Sequence, residues 1–162
     1  MRDPDTDWVL PISSFILALV LAVIPLPAAV VAFRPGWVPL VMIYWALASP
    51  ERFGLLTALC LGLALDSLSG ALLGQHAIAM LVVVYLSLRF HLRIRVFPIW
   101  QMTMTVFVML AIHEFLLFWI DGVVGRSVPY IERWAALFTS ALVWPLVLGI
   151  LDRVRQPNQA QV

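Results

Sequence analysis

Asp66, His113 and Glu114 stand inside long apolar runs, and they are the side chains with which this chain could do chemistry. A carboxylate near the middle of a membrane helix costs about 2.5–3.5 kcal/mol on insertion scales, so it meets protein, water or a ligand and not hydrocarbon. Asp66 interrupts a stripe of small residues, Gly54, Ala58, Gly62, Gly70 and Gly74, that recurs at every fourth position. This spacing places them on one slowly drifting helix face, where small side chains admit another helix at close range. Two arrangements fit the stripe. In one, Asp66 is buried and hydrogen-bonded and fixes the turn around Gly70 and Gly74. In the other, the stripe lines a cavity or groove and Asp66 meets a ligand or a partner. His113 and Glu114 are adjacent and project about 100° apart, so one can face Asp66 while the other faces a partner. Arg34 is the expected counter-ion of Asp66 or Glu114, with both pairings open.

Familiar catalytic sets are missing. A phosphate-binding loop of the form GxxxxGK[ST] needs a Lys, and all ten basic residues are Arg. No paired-His motif suggests a metal. The single Cys60 can form no internal disulfide and no zinc site, and it reads as a small core residue. Ser69 and His113 on neighbouring helices could pair as nucleophile and base. The run Asp66-Ser67-Leu68-Ser69-Gly70 superficially resembles the intramembrane rhomboid pattern, but Ser67 stands at its first Gly and the preceding loop lacks the Trp-Arg signature. The expectation is no catalysis, no metal, no cofactor and no nucleic acid.

The elements that must position these residues follow from composition. Of 162 residues, 63% are hydrophobic and 12% charged, and mean hydropathy is +1.00. So few charges cannot cover a soluble domain of this size. The runs do not alternate as barrel strands would, which leaves an all-α polytopic bundle. Breaks at Pro, Gly and charge give six spans in a single domain over 1–162, at about 8–24, 36–48, 53–69, 73–90, 97–120 and 130–151. Three Asp residues before Trp8 argue for a permanent first span and against a secretory signal. The second span is short for a bilayer, so it tilts little, breaks, or begins inside the protein. An even count puts both termini on one side. That side carries Arg2, Arg52, Arg89, Arg93, Arg95, Arg153 and Arg155; the other carries Arg34, Arg126 and Arg133. The bias favours cytoplasmic termini, with Arg89, Arg93 and Arg95 in a loop as topology determinants and lipid-headgroup anchors. Asp121, Arg126, Glu132 and Arg133 mark a solvated outer loop.

Trp8, Trp37, Trp45, Trp100, Trp119 and Trp134 flank the spans and read mostly as an interfacial belt. Trp144 is different. With Pro145 it falls well inside the last span, where the proline allows a kink suited to a cavity wall.

Several segments together resemble the MreD family of rod shape-determining proteins of Gram-negative bacteria. They are Phe33-Arg34-Pro35-Gly36-Trp37-Val38, Tyr44-Trp45, Pro50-Glu51-Arg52, Gly62-Leu63-Ala64-Leu65-Asp66 with Gly70 and Gly74, Trp144-Pro145, and Arg153-Val154-Arg155. The resemblance spans nearly the whole chain. It implies a non-catalytic subunit of the cytoplasmic (inner) membrane in the machinery for lateral peptidoglycan synthesis and rod shape. The implied partners are MreC first, then MreB, RodA and a class B penicillin-binding transpeptidase. The implied fold is a six-helix bundle similar to the S components of energy-coupling-factor transporters. Arg34, Pro35, Trp37, Asp66, Gly70 and Gly74 fall on family motif positions, and Glu114 stands where relatives also carry an acid; His113 takes no role from the family. Two functions follow. One is a scaffold that receives the MreC helix in a groove around Gly62, with Asp66 or Glu114 fixing register. The other is a small-molecule-binding subunit, with the same polar residues lining a pocket and Ala18 and Ala22 offering a docking patch.

Overall fold

The structure, a computed structural model, describes residues 6–126 and 130–155. Arg2, and the side chains of Glu132 and Arg133, lie outside this description. Among the described residues the regular elements are helices: α1 (Thr6–Val23), α2 (Ala28–Val31), α3 (Trp37–Ala48), α4 (Leu55–Ser69), α5 (Gln75–Ile94), α6 (Ile99–Val124) and α7 (Tyr130–Arg155). Their ends follow backbone chemistry. The helix α1 stops short of Pro25 and Pro27, which disfavour helix in the residues before them. Gly70 (φ 65°) closes α4 and Gly125 (φ 75°) closes α6, both in the left-handed conformation that glycine takes without strain. Pro39 sits in the first turn of α3, where a missing N–H costs nothing.

Six of these helices correspond to the six expected spans; one short helix is added and two boundaries move in an informative way. The one-turn helix α2 occupies what reads as plain loop, its Val30 and Val31 N–H groups returning to the Pro27 carbonyl. The helix α5 continues to Ile94, so Arg89 and Arg93 are helical and only Arg95 lies in the loop beyond. No Gly or Pro interrupts that run, and cations in a last turn favour the carbonyl end of the helix dipole. The helix α6 continues to Val124, which places Asp121 in a helix and not in a solvated loop.

Three helices are long and apolar enough to cross a membrane: Gln75–Ile94, Ile99–Val124 and Trp134–Arg155. Trp8–Val23, Trp37–Ala48 and Leu55–Ser69 are apolar but shorter. The shortest of these, α3, is the core of the bundle. Every residue from Val38 to Leu47 is buried. A helix apolar on all sides belongs inside, and α3 contacts α1, α5 and α7. Around it, α4 pairs with α5, α5 with α6, and α6 with α7, while α1 also touches α4. At 1.5 Å per residue α3 is only about 18 Å long, and helices on several sides bury it within the bundle.

Polar side chains tie this core helix to its neighbours. The Gly36 N–H donates to Ser140 Oγ of α7 at 2.8 Å, Trp45 Nε1 donates to Ser14 Oγ of α1 at 2.9 Å, and Tyr44 Oη donates to Asp152 Oδ1 of α7 at 2.7 Å. Trp45 is therefore a buried core residue and not a belt residue, whereas Trp8, Trp100, Trp119 and Trp134 are exposed. The outer faces are apolar, as at Leu56, Val108, Phe138 and Leu142, which is the surface a lipid environment requires.

Candidate functional site

The α4–α5 turn gathers the polar residues singled out above. Asp66 is in the last turn of α4, and its carboxylate reaches across the turn to the start of α5. Its Oδ2 accepts the Gly74 N–H at 2.8 Å and its Oδ1 accepts the His76 N–H at 2.9 Å. The same Oδ1 lies 2.8 Å from His76 Nδ1. An acid at a helix N-terminus satisfies orphan backbone donors and complements the dipole. Asp66 is 1% exposed, so those bonds replace its lost hydration. Its backbone carbonyl also accepts the N–H groups of Gly70 and Ala71. One residue thus closes one helix and opens the next.

The small-residue stripe divides by role. A Cβ added at Gly62 would lie 2.3 Å from Ala77 Cα and 2.7 Å from Ala77 N, so this glycine is where α4 and α5 touch backbone to backbone. Ala58 is fully buried. Gly70 and Gly74 (φ 97°) adopt conformations that side-chain-bearing residues rarely take. Gly54 is the N-cap of α4 and has open space around it. The face at Gly62 is therefore filled by this chain's own α5. Cys60, expected in the core, is exposed on the same helix.

His113 of α6 faces the same region. Its ring centroid is 6.2 Å from that of His76, and its Nδ1 lies 3.2 Å from Glu114 Oε1. His113 is buried, and its Nε2 has no hydrogen-bond partner. Glu114 is partly exposed. His113 packs its ring beside His76 of the Asp66–His76 pair. A second link between the same helices lies nearby: Gln75 Nε2 donates to Asp121 Oδ1 at 2.7 Å, and both residues are buried.

Arg34 pairs with neither acid. Its Nη1 donates to the Ala22 carbonyl at 2.5 Å and its Nη2 to the Ile24 carbonyl, at the open C-terminal end of α1. A cation there meets unsatisfied carbonyls and the negative end of the dipole. Pro35 accepts the Trp37 N–H through its carbonyl at 2.9 Å, shaping the lead into α3. Trp144 is fully buried with its Nε1 unpartnered, and Pro145 lies inside a continuous α7. The hydroxyls of Ser67 and Ser69 bond back to the carbonyls of Leu63 and Leu65, so neither is directed at His113. Among the described residues, no group of three or more His, Cys, Asp or Glu side chains is placed to hold a metal ion.

His76 and Gln75 escape a reading of the sequence, while Asp121 is read there as a loop residue and Tyr44 without its partner Asp152. Gln75 and His76 open α5 immediately after Gly74, so a helix start directly following an intramembrane-type acid and its glycines is the signal that could have found them. The Gly122 that follows Asp121 reads as a helix break, and the apolar run around Tyr44 gives no sign of its partner.

The family model described as rod shape-determining protein MreD matches residues 4–154. The Rod shape-determining protein MreD of Haemophilus influenzae is 28% identical over 150 residues, covering 93% of each chain. No solved structure matches the chain.

Proposed function

The chain belongs to the MreD family of rod shape-determining proteins, and from that premise we propose that it is a non-catalytic, multi-pass scaffold of the bacterial inner membrane that binds MreC. Its part in rod shape determination follows from the family, and its apolar helices make it a membrane protein. The finer reading is that it seats the MreC helix and so supports MreB, RodA and the class B transpeptidase in lateral wall synthesis, with both termini cytoplasmic.

One observation carries the scaffold reading: the buried acids are directed at this chain's own groups. Asp66 caps α5, Asp121 binds Gln75 and Arg34 caps α1. Polar groups so engaged build a rigid bundle and leave recognition to its outer faces. Close packing at Gly62 is internal, so the MreC helix docks on a lipid-facing surface. Photo-crosslinkers placed at Leu17 of α1, Phe115 of α6 and Leu142 of α7, all exposed, sample three such faces in cells. Crosslinks to MreC from one face would identify the seat. Crosslinks from none of the three, with MreC present at normal level, would overturn the reading.

A small-molecule-binding subunit is the second reading, favoured by the unpartnered Nε2 of buried His113 beside His76 and Glu114. Native mass spectrometry of the protein purified from its own membranes decides it: a stoichiometric metabolite, lost in His113→Phe, would favour the pocket over the scaffold.

A further inference from the structure

A groove of about 930 Å³ opens at the end of the bundle where α5 and α7 finish and α1 begins. Three helix-end arginines line it: Arg52 before α4, Arg95 after α5 and Arg155 at the end of α7. Glu51 stands at the same rim, so among the described lining residues three arginines face one acid, and His91 adds a further polar ring. The groove wall is also apolar, formed by Val9 of α1 and Leu92 of α5, which are 63% and 73% exposed. We propose that this groove is a specific site for an anionic phospholipid, its phosphodiester headgroup held by the arginines and its acyl chains laid along Val9 and Leu92.

Three features select a lipid over a soluble anion. The arginines lie at helix ends, the level at which headgroups sit, and a guanidinium engages phosphate oxygens through paired N–H donors. Trp8, an interfacial type of residue, stacks under the Arg52 guanidinium at 5.5 Å from the ring centroid. The exposed apolar side chains continue from the charged rim towards the hydrocarbon, which gives a chain-bearing ligand contacts that a free anion cannot use. Arg155 is positioned from behind by its bonds to the Ala48 carbonyl at 3.0 Å and Ser49 Oγ at 3.3 Å. A smaller cavity of about 190 Å³ shares Arg95 and Arg155 with the groove and extends towards Tyr44 and Asp152.

The basic run supplies its own control. Arg89, Arg93 and Arg95 are all exposed and close in sequence, yet only Arg95 lines the groove. Native mass spectrometry of the detergent-purified full chain, titrated with phosphatidylglycerol or phosphatidylethanolamine, reads the site directly. The first phosphatidylglycerol adduct should form at least fivefold more readily than the phosphatidylethanolamine adduct. Arg95→Gln should abolish that preference, Arg95→Lys should restore part of it, and the double variant Arg89→Gln, Arg93→Gln should keep it. Leu92→Glu, on the exposed apolar wall, should weaken binding without touching a cation. Equal uptake of the two lipids, or equal loss in the Arg89, Arg93 double variant, would overturn the site. So would displacement of the lipid by millimolar inorganic phosphate or by a hexaglutamate peptide, which would assign the arginines to soluble anions or to an acidic protein segment.

Discussion

Gly62 and Ala77 meet backbone to backbone across the α4–α5 hairpin, with room for no further atom: a Cβ on the glycine would lie 2.3 Å from Ala77 Cα. Four residues further along α4, Asp66 closes the same hairpin by capping α5. Contact and cap are one device. The glycine lets the two helices approach, and their approach brings the carboxylate within reach of the Gly74 and His76 N–H groups. Of the two functions that compete for this stripe in the sequence, a tight contact and a binding groove, the space at Gly62 is taken by the contact with this chain's own α5.

Gly62→Leu should be strongly destabilising whatever MreC does. The added side chain meets backbone, which cannot step aside as a flexible side chain can. Overpacking in a core costs about 1–3 kcal/mol, and a backbone clash belongs at the upper end of that range. Thermal unfolding of the detergent-purified variant, measured without any partner, checks this. An unchanged Tm would mean that α4 and α5 do not touch there.

Asp66→Ala should cost about 1–3 kcal/mol, because two N–H groups at the start of α5 lose their acceptor. Asp66→Asn keeps one carbonyl oxygen and should recover part of the loss. The ordering wild type, Asn, Ala in unfolding temperature is the expected result. A partner-binding acid with no structural role would instead leave all three alike in isolation and differ only in complex formation.

Legibility in the sequence followed the kind of signal each residue carries. The helices were readable because apolar runs, prolines and glycines are local, and α1 and α3 to α7 all begin within about two residues of their expected starts. The fourfold spacing was legible for the same reason, but it is one helix face only over Ala58, Gly62 and Asp66; Gly54 caps α4, and Gly70 and Gly74 lie in the turn between α4 and α5. Pairings were not legible. Asp66 finds His76 through a turn whose shape depends on two left-handed glycines, and Asp121 finds Gln75 across two helices. Arg34 has two acids as plausible partners by charge alone, yet its guanidinium meets the carbonyls of Ala22 and Ile24. Backbone carbonyls carry no sequence signature, so a charge search overlooks them.

Gln75 and Asp121 should behave as a coupled pair. Removing one partner leaves the other buried and short of a hydrogen bond, at about 1–3 kcal/mol. In a double-mutant cycle of Gln75→Leu and Asp121→Leu, the double variant should therefore lose clearly less than the sum of the two singles. Strict additivity would mean that the bond between α5 and α6 contributes nothing.

Gly54 and Gly74 bracket the same stripe and should respond in opposite ways. Gly54 is an N-cap with nothing near its missing side chain. Gly54→Ser supplies a capping hydroxyl to α4 and should leave stability unchanged or raise it by about a few tenths of a kcal/mol. Gly74 has φ 97° and presents its N–H to Asp66. Gly74→Ala forces a Cβ into a left-handed backbone and should cost about 1–3 kcal/mol. If the stripe were one continuous partner-binding face, both substitutions would instead impair capture of MreC while leaving Tm unmoved. Measuring Tm and MreC capture on the same two variants therefore separates a hairpin hinge from a docking groove.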